Sequence, residues 1–309
     1  MFKVKKNISL KKYSNYKIGG PARYFFEART PEDIKNAIEW AKTNRQKYFI
    51  LAGGTNILIS DEGFKGLVIK INIKDLKIKG NRIYAGAGVL MKDLLKFAEK
   101  NKLSGLEWAG GLPGTFGGAI RGNAGAFGGE IKDSIETVKH FDAKNHKVFK
   151  HIKEYCAFGY RSSFFKVREG ESIILAATLR LKKGNSKKIK QLANERIKYR
   201  QDRQPLEYPN IGSIFKNVDI KRIPKAFLKR FKLKIKADPF PVMPTAVIIA
   251  EAGLKGLKIG GAEVSMKHSN FIVNTRNAKA SHVKALIRKI KKIIYQKFKI
   301  KLEEEVQIL

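Results

Sequence analysis

The sequence predicts mixed α and β structure folded into two or three packed domains, and three observations carry that prediction. The chain has 309 residues, more than one hydrophobic core usually organises. Apolar residues at helical spacing alternate along it with short β-rich runs. Between Gly105 and Gly129, ten of 25 residues are glycine, interleaved with Leu, Pro, Phe and Asn rather than Ser, which reads as a shaped loop system and not as a linker.

The elements follow in order. Thr30 is a good N-cap, Pro31 suits the first helical position, and Ile34, Ala37, Ile38 and Ala41 share one face, so a helix is predicted over residues 31–43. Residues 48–52 and 67–71 are β-rich and bounded by glycines. Residues 82–87 form another such run, ahead of a helix that places Met91, Leu94, Leu95 and Ala98 together. The glycine density over 105–129 is too high for a helix or strand. Residues 172–181 read as a buried strand. Gly184, Asn185 and Ser186 break that pattern before a basic helix running towards Pro205, which sets a domain boundary near residue 184. Val283, Leu286, Ile287, Ile290 and Ile294 mark a long amphipathic helix from Ser281, followed by strand-like LEEEVQIL at 302–309.

Composition narrows the function. Lys plus Arg number 64 against 27 Asp plus Glu, a net charge of +37 that attracts any polyanion, whether nucleic acid or nucleotide. The lysines are spread over the whole length without a nucleic-acid-binding motif, so a solvated basic surface is expected and nucleic acid is not an expected partner. Cys156 is the only cysteine, which rules out an internal disulfide or thiolate metal cluster and points to a reducing cytoplasm. No metal site is expected. Residues 1–17 lack a secretory apolar stretch and no run approaches about 18 apolar residues, so neither export nor a membrane partner is expected.

Two common phosphate motifs are missing. Gly86-Ala87-Gly88 is followed at position 91 by Met where a dinucleotide fingerprint needs a small residue, and no GxxxxGK[ST] occurs. Two other segments offer a cradle. AGGTNILIS at 52–60 follows a strand and combines two glycines with the donors of Thr55 and Asn56, suited to a pyrophosphate. GGLPGTFGGAIRGNAGAFGGE at 110–130 adds many more backbone donors, with Pro113 stiffening the approach and small residues leaving room for a planar ligand. Together they point to a dinucleotide cofactor.

The order and wording of these segments resemble the UDP-N-acetylenolpyruvoylglucosamine reductase family over nearly the whole chain. The matching stretches are IGGPA at 18–22, GGTNIL at 53–58, GLPGTFGGA at 111–119, NAGAFG at 123–128 and GYRSSFFK at 159–166. GSIFKN at 212–217, EAGLKG at 251–256, GGAEVSMKHSNFIVN at 260–274 and LEEEV at 302–306 continue the series. The resemblance implies an α+β fold: a two-part FAD-binding domain of the vanillyl-alcohol oxidase (PCMH) type and a C-terminal α+β substrate-binding domain. It divides the chain into a first FAD subdomain (1–70, joined by the tail 299–309), a second (71–183) and a substrate domain (184–298). It further implies FAD as cofactor, NADPH as hydride donor, a UDP-sugar as substrate, and a cytoplasmic enzyme of peptidoglycan precursor synthesis; a monomer is expected.

By position, Gly53, Gly54, Thr55, Asn56, Ile57, Leu58, Pro113, Gly114, Thr115, Gly118, Ala119, Asn123 and Gly125 inherit FAD binding. No His or Cys lies in either glycine segment, which favours non-covalent attachment. Arg161 inherits the role of holding the substrate carboxylate, its planar fork suited to growing negative charge. Ser213 inherits that of proton donor, which a serine can fill only towards a strongly basic intermediate beside a cation such as Lys216. Glu305 matches the third catalytic residue, with Glu303 the rival because the two share a face if this is a strand. Tyr160, Lys216, Asn217 and His268 are the substrate-side candidates.

The chain departs from the family pattern at Ala52 and Thr55, both small enough for the cradle, and at Val218, where a proline is common. Residues 218–247, containing KRIPKAFLKRFKLKIK and DPFPVMP, make a longer insert than the resemblance leads one to expect. A lid, a basic arm for a partner and a small packed helix all suit it, and the packed helix is the favoured reading.

Overall fold

Local sequence sets the first helix, α1 (Pro31–Thr43), in the computed structural model of the chain. Thr30 Oγ1 accepts from Asp33 N at 3.0 Å while the Asp33 carboxylate accepts from Thr30 N at 3.0 Å, a reciprocal cap that satisfies two otherwise open donors. The structure describes residues 3–237 and 240–309. They fall into two units, one comprising the chain up to Ile8, Ala22–Gly53 and Lys65–Arg200, the other Ser9–Pro21, Gly54–Phe64 and Gln201–Leu309.

The first unit contains two sheets. Four strands lie in the order Lys5–Ser9, Pro21–Ala28, Phe64–Ile71 and Tyr48–Leu51, the last two parallel with Tyr48 opposite Leu67. Five antiparallel strands lie in the order Lys147–Ile152, Ile135–Asp142, Ser172–Arg180, Arg82–Gly86 and Leu76–Lys79. Helix α2 (Met91–Lys100) buries Met91, Leu94, Leu95 and Ala98, the face its spacing predicts. These side chains join Ile34, Ile38, Leu67, Ile83, Phe116 and Leu175 in one core.

One expectation about this unit fails. Residues 105–129 do hold a helix, α3 (Phe116–Arg121), despite Gly117 and Gly118 inside it. Packing explains the exception. A Cβ at Gly117 would lie 2.7 Å from Ala87 Cβ, so only glycine lets this turn of helix lie against the end of the Arg82–Gly86 strand. Two further helices, α4 (Phe164–Val167) and α5 (Ser186–Arg203), follow in sequence.

The second unit is built on α8 (Ala280–Phe298), which buries Val283, Leu286, Ile287, Ile290 and Ile294. The Asp61 carboxylate accepts from Ala280 N at 2.7 Å and Ser281 N at 3.0 Å at the start of that helix. These bonds outweigh burial, which alone would raise it, and hold the Asp61 carboxyl below its ordinary value. A small antiparallel sheet, Lys258–Ile259, Ala262–Val264 and Ile272–Asn274, shares the core.

The insert is a packed helix as favoured. Val218–Asp219 pairs with Val242–Met243, and between them α6 (Lys225–Phe231) sets Phe227 at 4.7 Å from the Phe231 ring and 5.1 Å from Phe298. Asp238 and Pro239 of DPFPVMP lie outside the described residues. A last helix, α7 (Thr245–Glu251), follows.

The strand expected over 302–309 is mostly absent. Only Gln307–Ile308 forms one, parallel to Ile57–Leu58, while Glu304 makes an isolated bridge with Phe215. Three consecutive glutamates disfavour a regular ladder, and each carboxylate needs water or a cation. Among the described residues no helix is long and apolar enough to cross a membrane.

Candidate active site

The two glycine segments meet inside the first unit. A Cβ added to Gly53 would stand 2.8 Å from Gly114 Cα and 3.0 Å from Thr115 N, so any side chain there would wedge the segments apart. Gly114 has φ +100°, and its carbonyl accepts from Met91 N at 3.0 Å, which fixes the turn after Pro113 onto the start of α2. Gly118 faces Ala52 across the same gap, and Ala119 is buried behind it. A cleft opens there, walled by Ile50, Ala52, Ala87, Gly118, Phe165 and Ile174, enclosing about 510 Å³ with its open mouth included.

The residues fit a dinucleotide. Thr115 Oγ1 is buried with no hydrogen-bond partner among the described residues, a vacancy that costs about 1–3 kcal/mol unless a ligand fills it. Bare glycine backbone beside an apolar wall supplies the rest: donors for phosphate oxygens and a flat surface for a ring.

The remainder of the first motif belongs to the second unit. Gly54 has φ +67°, and a Cβ there would lie 1.9 Å from Tyr13 O. Asn56 Nδ2 donates to Glu305 O at 3.2 Å, and Asn56 O accepts from Gln307 N at 3.0 Å. Ile57 and Leu58 are buried strand residues paired with Gln307 and Ile308, so their side chains serve packing while Thr55 and Asn56 stay partly or fully exposed.

Arg161 sits on a two-residue hairpin turn. Gly159 N donates to Ser162 O at 3.1 Å and Ser162 N to Gly159 O at 3.2 Å, leaving Tyr160 and Arg161 at the tip. Arg161 takes φ +53°, uncommon for a side chain of this size and therefore held by its surroundings. Asn123 Nδ2 donates to Gly159 O at 3.0 Å, Lys166 Nζ to Arg161 O at 2.7 Å, and Arg161 Nη2 to Gly125 O at 3.1 Å. The guanidinium also lies 5.2 Å from the Tyr160 ring centroid. Thus Asn123 and Gly125 of the glycine segment brace the arginine turn, a connection that sequence order did not reveal.

In the second unit, Ser213, Lys216 and the glutamate tail come together. Glu305 N donates to Ile214 O at 2.8 Å and Lys216 N to Glu303 O at 2.9 Å, so residues 213–216 run beside 303–305. Asn270 clamps the other side: its Oδ1 accepts from Phe215 N at 3.1 Å and its Nδ2 donates to Phe215 O at 2.9 Å. Ahead of Ser213, Gly212 turns with φ +83° and donates to Asn210 Oδ1 at 3.0 Å.

The carboxylates separate into distinct environments. Glu303 pairs with Arg222 at 2.6 Å and Lys216 at 3.5 Å, and the Arg222 guanidinium chiefly holds it below the ordinary carboxylate range. Glu304 pairs with Lys291 at 2.8 Å. Asn217 Oδ1 accepts from Thr245 N at 3.2 Å, which ties it to the start of α7. His268 stacks edge-on to Phe271 at 4.7 Å with Nδ1 buried and unpartnered among the described residues. Burial first, then Lys236 and Lys255, keep its imidazole below the usual value and neutral near pH 7.

Sequence reasoning missed Arg200. It is 8% exposed, its Nε donates to Gly110 O at 2.8 Å, and one terminal nitrogen is buried without a partner among the described residues. Burial, then the charge of Arg161, hold it below the ordinary arginine value. Arg196 and Arg200 lie 4.8 and 5.3 Å from the Phe127 ring centroid. A signal existed. Ile189, Ala193 and Arg200 form the buried stripe of α5, with an arginine where an apolar residue is due.

Comparison with known proteins points to one family along the chain. Residues 204–309 match the family described as UDP-N-acetylenolpyruvoylglucosamine reductase, C-terminal domain, and residues 22–148 match an FAD binding domain. The UDP-N-acetylenolpyruvoylglucosamine reductase of Clostridium novyi is 36% identical over 307 residues, covering 99% of this chain and 92% of that protein. Its counterpart from Carboxydothermus hydrogenoformans is 39% identical over 312 residues, covering 99% and 94%. The crystal structure of UDP-N-acetylenolpyruvylglucosamine reductase from Thermus caldophilus superposes with a TM-score of 0.79 at 30% identity, covering 100% of this chain and 99% of that one.

Proposed function

The chain belongs to the UDP-N-acetylenolpyruvoylglucosamine reductase family, and from that premise we propose how its own residues divide the work. It is an FAD-dependent oxidoreductase that uses NADPH to reduce the enolpyruvyl group of UDP-N-acetylglucosamine enolpyruvate to UDP-N-acetylmuramate in peptidoglycan precursor synthesis.

In this reading FAD is held non-covalently, with Gly53, Gly114, Thr115 and Gly118 of the first unit as backbone and hydroxyl donors and Gly54, Thr55 and Asn56 of the same motif contributing to its binding. The first FAD-binding part is 1–70 with 299–309, the second 71–183, and the UDP-sugar is taken by 184–298. When bound, the flavin supplies hydride drawn from NADPH to the alkene carbon distal to the substrate carboxylate. Ser213 Oγ–H delivers a proton to the carbon beside that carboxylate. Arg161 grips the carboxylate, and Arg200, with a buried nitrogen that lacks a partner among the described residues, adds a second positive charge. Glu305, the one tail glutamate next to the Ile214 carbonyl, shares stabilisation of the charge that develops; Glu303 is occupied by Arg222 and Lys216.

Asn123, whose amide is used on Gly159, serves the site by bracing the Arg161 turn. Lys216 meets the substrate or NADPH phosphates, Tyr160 and His268 line the substrate side, and Asn217 acts by setting α7. We take the working form to be a cytoplasmic monomer, a reading supported by the single cysteine of the sequence, which allows no internal disulfide.

The observation that carries the reading is the contact of Gly53 with Gly114 beside the orphaned Thr115 hydroxyl. Absorbance of the purified protein tests it. Flavin bands bleached by NADPH and restored by the enolpyruvyl substrate, but not by its saturated product, are expected. A colourless protein, or rapid aerobic turnover of an alcohol without NADPH, overturns it.

A further inference from the structure

The insert carries a charge concentration that the reductase chemistry does not use. Over residues 221–236 eight of 16 residues are Lys or Arg and none is acidic, against 64 Lys plus Arg in 309 for the whole chain. Two of the eight are neutralised locally, Arg222 by Glu303 at 2.6 Å and Arg230 by Glu251 at 2.8 Å. Lys225, Lys229, Lys232 and Lys234 are exposed and have no carboxylate partner among the described residues.

An apolar tip stands among them. Leu233, in the single turn Lys232–Lys234, is 98% exposed, the most exposed large apolar side chain of the described residues. The segment that presents it is anchored, because Ile223 and Phe227 are buried in the core of the second unit and Phe231 and Ile235 pack against it. Lys225 and Lys229 lie one turn apart on α6, opposite the anchored phenylalanines. The arrangement is a core-anchored basic platform with a leucine raised from it.

We propose that residues 225–234 form a peripheral docking surface for an anionic lipid membrane. Anionic headgroups supply a countercharge that no described carboxylate gives these lysines, and the interface gives Leu233 a place to bury its isobutyl group while the neighbouring lysine stems lie along the headgroups. A nucleic acid would use the same charge but not the leucine, and single strands prefer aromatic platforms; Phe227 and Phe231 are turned inward instead. The surface concerns adsorption, not spanning. It therefore departs from the expectation of no membrane partner, which rested on the lack of a long apolar run.

The test is co-sedimentation of the full chain, in its purified form, with phosphatidylcholine vesicles made with and without phosphatidylglycerol. Binding to the anionic vesicles alone is expected, weakening as salt rises. Replacing Lys229, Lys232 and Lys234 by Gln together should lower the partition roughly a hundredfold. Leu233→Ser should lower it about tenfold with charge unchanged. The melting temperature and NADPH oxidation rate of both variants should match the parent, since none of these residues belongs to the reductase site. Equal binding to neutral vesicles, no binding to anionic ones at low salt, or indifference to both substitutions overturns the proposal. So does tight binding of an RNA oligonucleotide that the lysine substitutions abolish and Leu233→Ser leaves intact, with no vesicle binding.

Discussion

Replacing Asn123 by Ala separates two roles for one residue, cofactor contact and support of the arginine turn. Asn123 is fully buried, takes φ +42°, and gives its amide proton to Gly159 O at 3.0 Å. Alanine removes that donor and leaves the half-buried Gly159 carbonyl with Ser162 N as its partner, which costs about 1 kcal/mol for the lost hydrogen bond. It also puts a residue without a local hydrogen bond in the left-handed region, about 1–2 kcal/mol more. Glycine at the same position pays only the first cost, so Asn123→Gly should be more stable than Asn123→Ala by about 1–2 kcal/mol.

The functional consequence follows from the tether. Once Gly159 is released, the Tyr160–Arg161 tip loses a fixed point, and an ångström of misplacement of a charged group can cost about a hundredfold in rate. The expected result for both variants is a kcat per bound flavin reduced by roughly ten- to a hundredfold, with flavin content near that of the parent. Thermal melting, flavin absorbance and steady-state NADPH oxidation on the same preparation give the three readings. A variant that loses flavin yet turns over normally per flavin retained would refute the bracing role and return Asn123 to direct cofactor contact.

Three other outcomes are expected. Thr115→Val removes the orphaned hydroxyl, so it should leave the flavin-free protein as stable or slightly more so while weakening FAD binding by about tenfold, read by flavin fluorescence titration; unchanged affinity would show that the hydroxyl does not face the cofactor. Glu305→Gln should lower kcat by about 10²–10⁴ with little change in NADPH-driven flavin bleaching, whereas Glu303→Gln should act mainly on stability and KM; the reverse pattern would make Glu303 the catalytic carboxylate. Glu136 is held from an ordinary 4.5 down to about 2, first by its hydrogen bond from Arg82 and then by that from Arg180. The folded form therefore takes up its proton less readily than the unfolded chain. Its contribution is complete above 4.5 and disappears as pH falls through about 2, so the melting difference between parent and Glu136→Gln should shrink over that range. A difference that stays constant with pH would place the effect in packing.

The sequence by itself determined the elements whose signals are local. The Thr30 cap with Pro31, the Met91 to Ala98 face and the Val283 to Ile294 stripe each depend on residues within a few turns of one another, and each lies where periodicity places it. The motif wording likewise pointed to the family, because backbone approach to a dinucleotide demands glycine at fixed positions.

Tertiary structure decided what depends on distant partners. Gly117 is accommodated in a helix because Ala87, thirty residues away in sequence, requires a surface without a side chain there. The glutamate tail was parted residue by residue, since Arg222 and Lys291 arrive from an insert and a helix whose placement no local pattern specifies. Arg161 acquired its left-handed turn from Asn123 and Gly125, and Arg200 its burial from Gly110 and Phe127. Hydrogen bonds and charges act through space over a few ångströms, and the chain must fold before such neighbours exist.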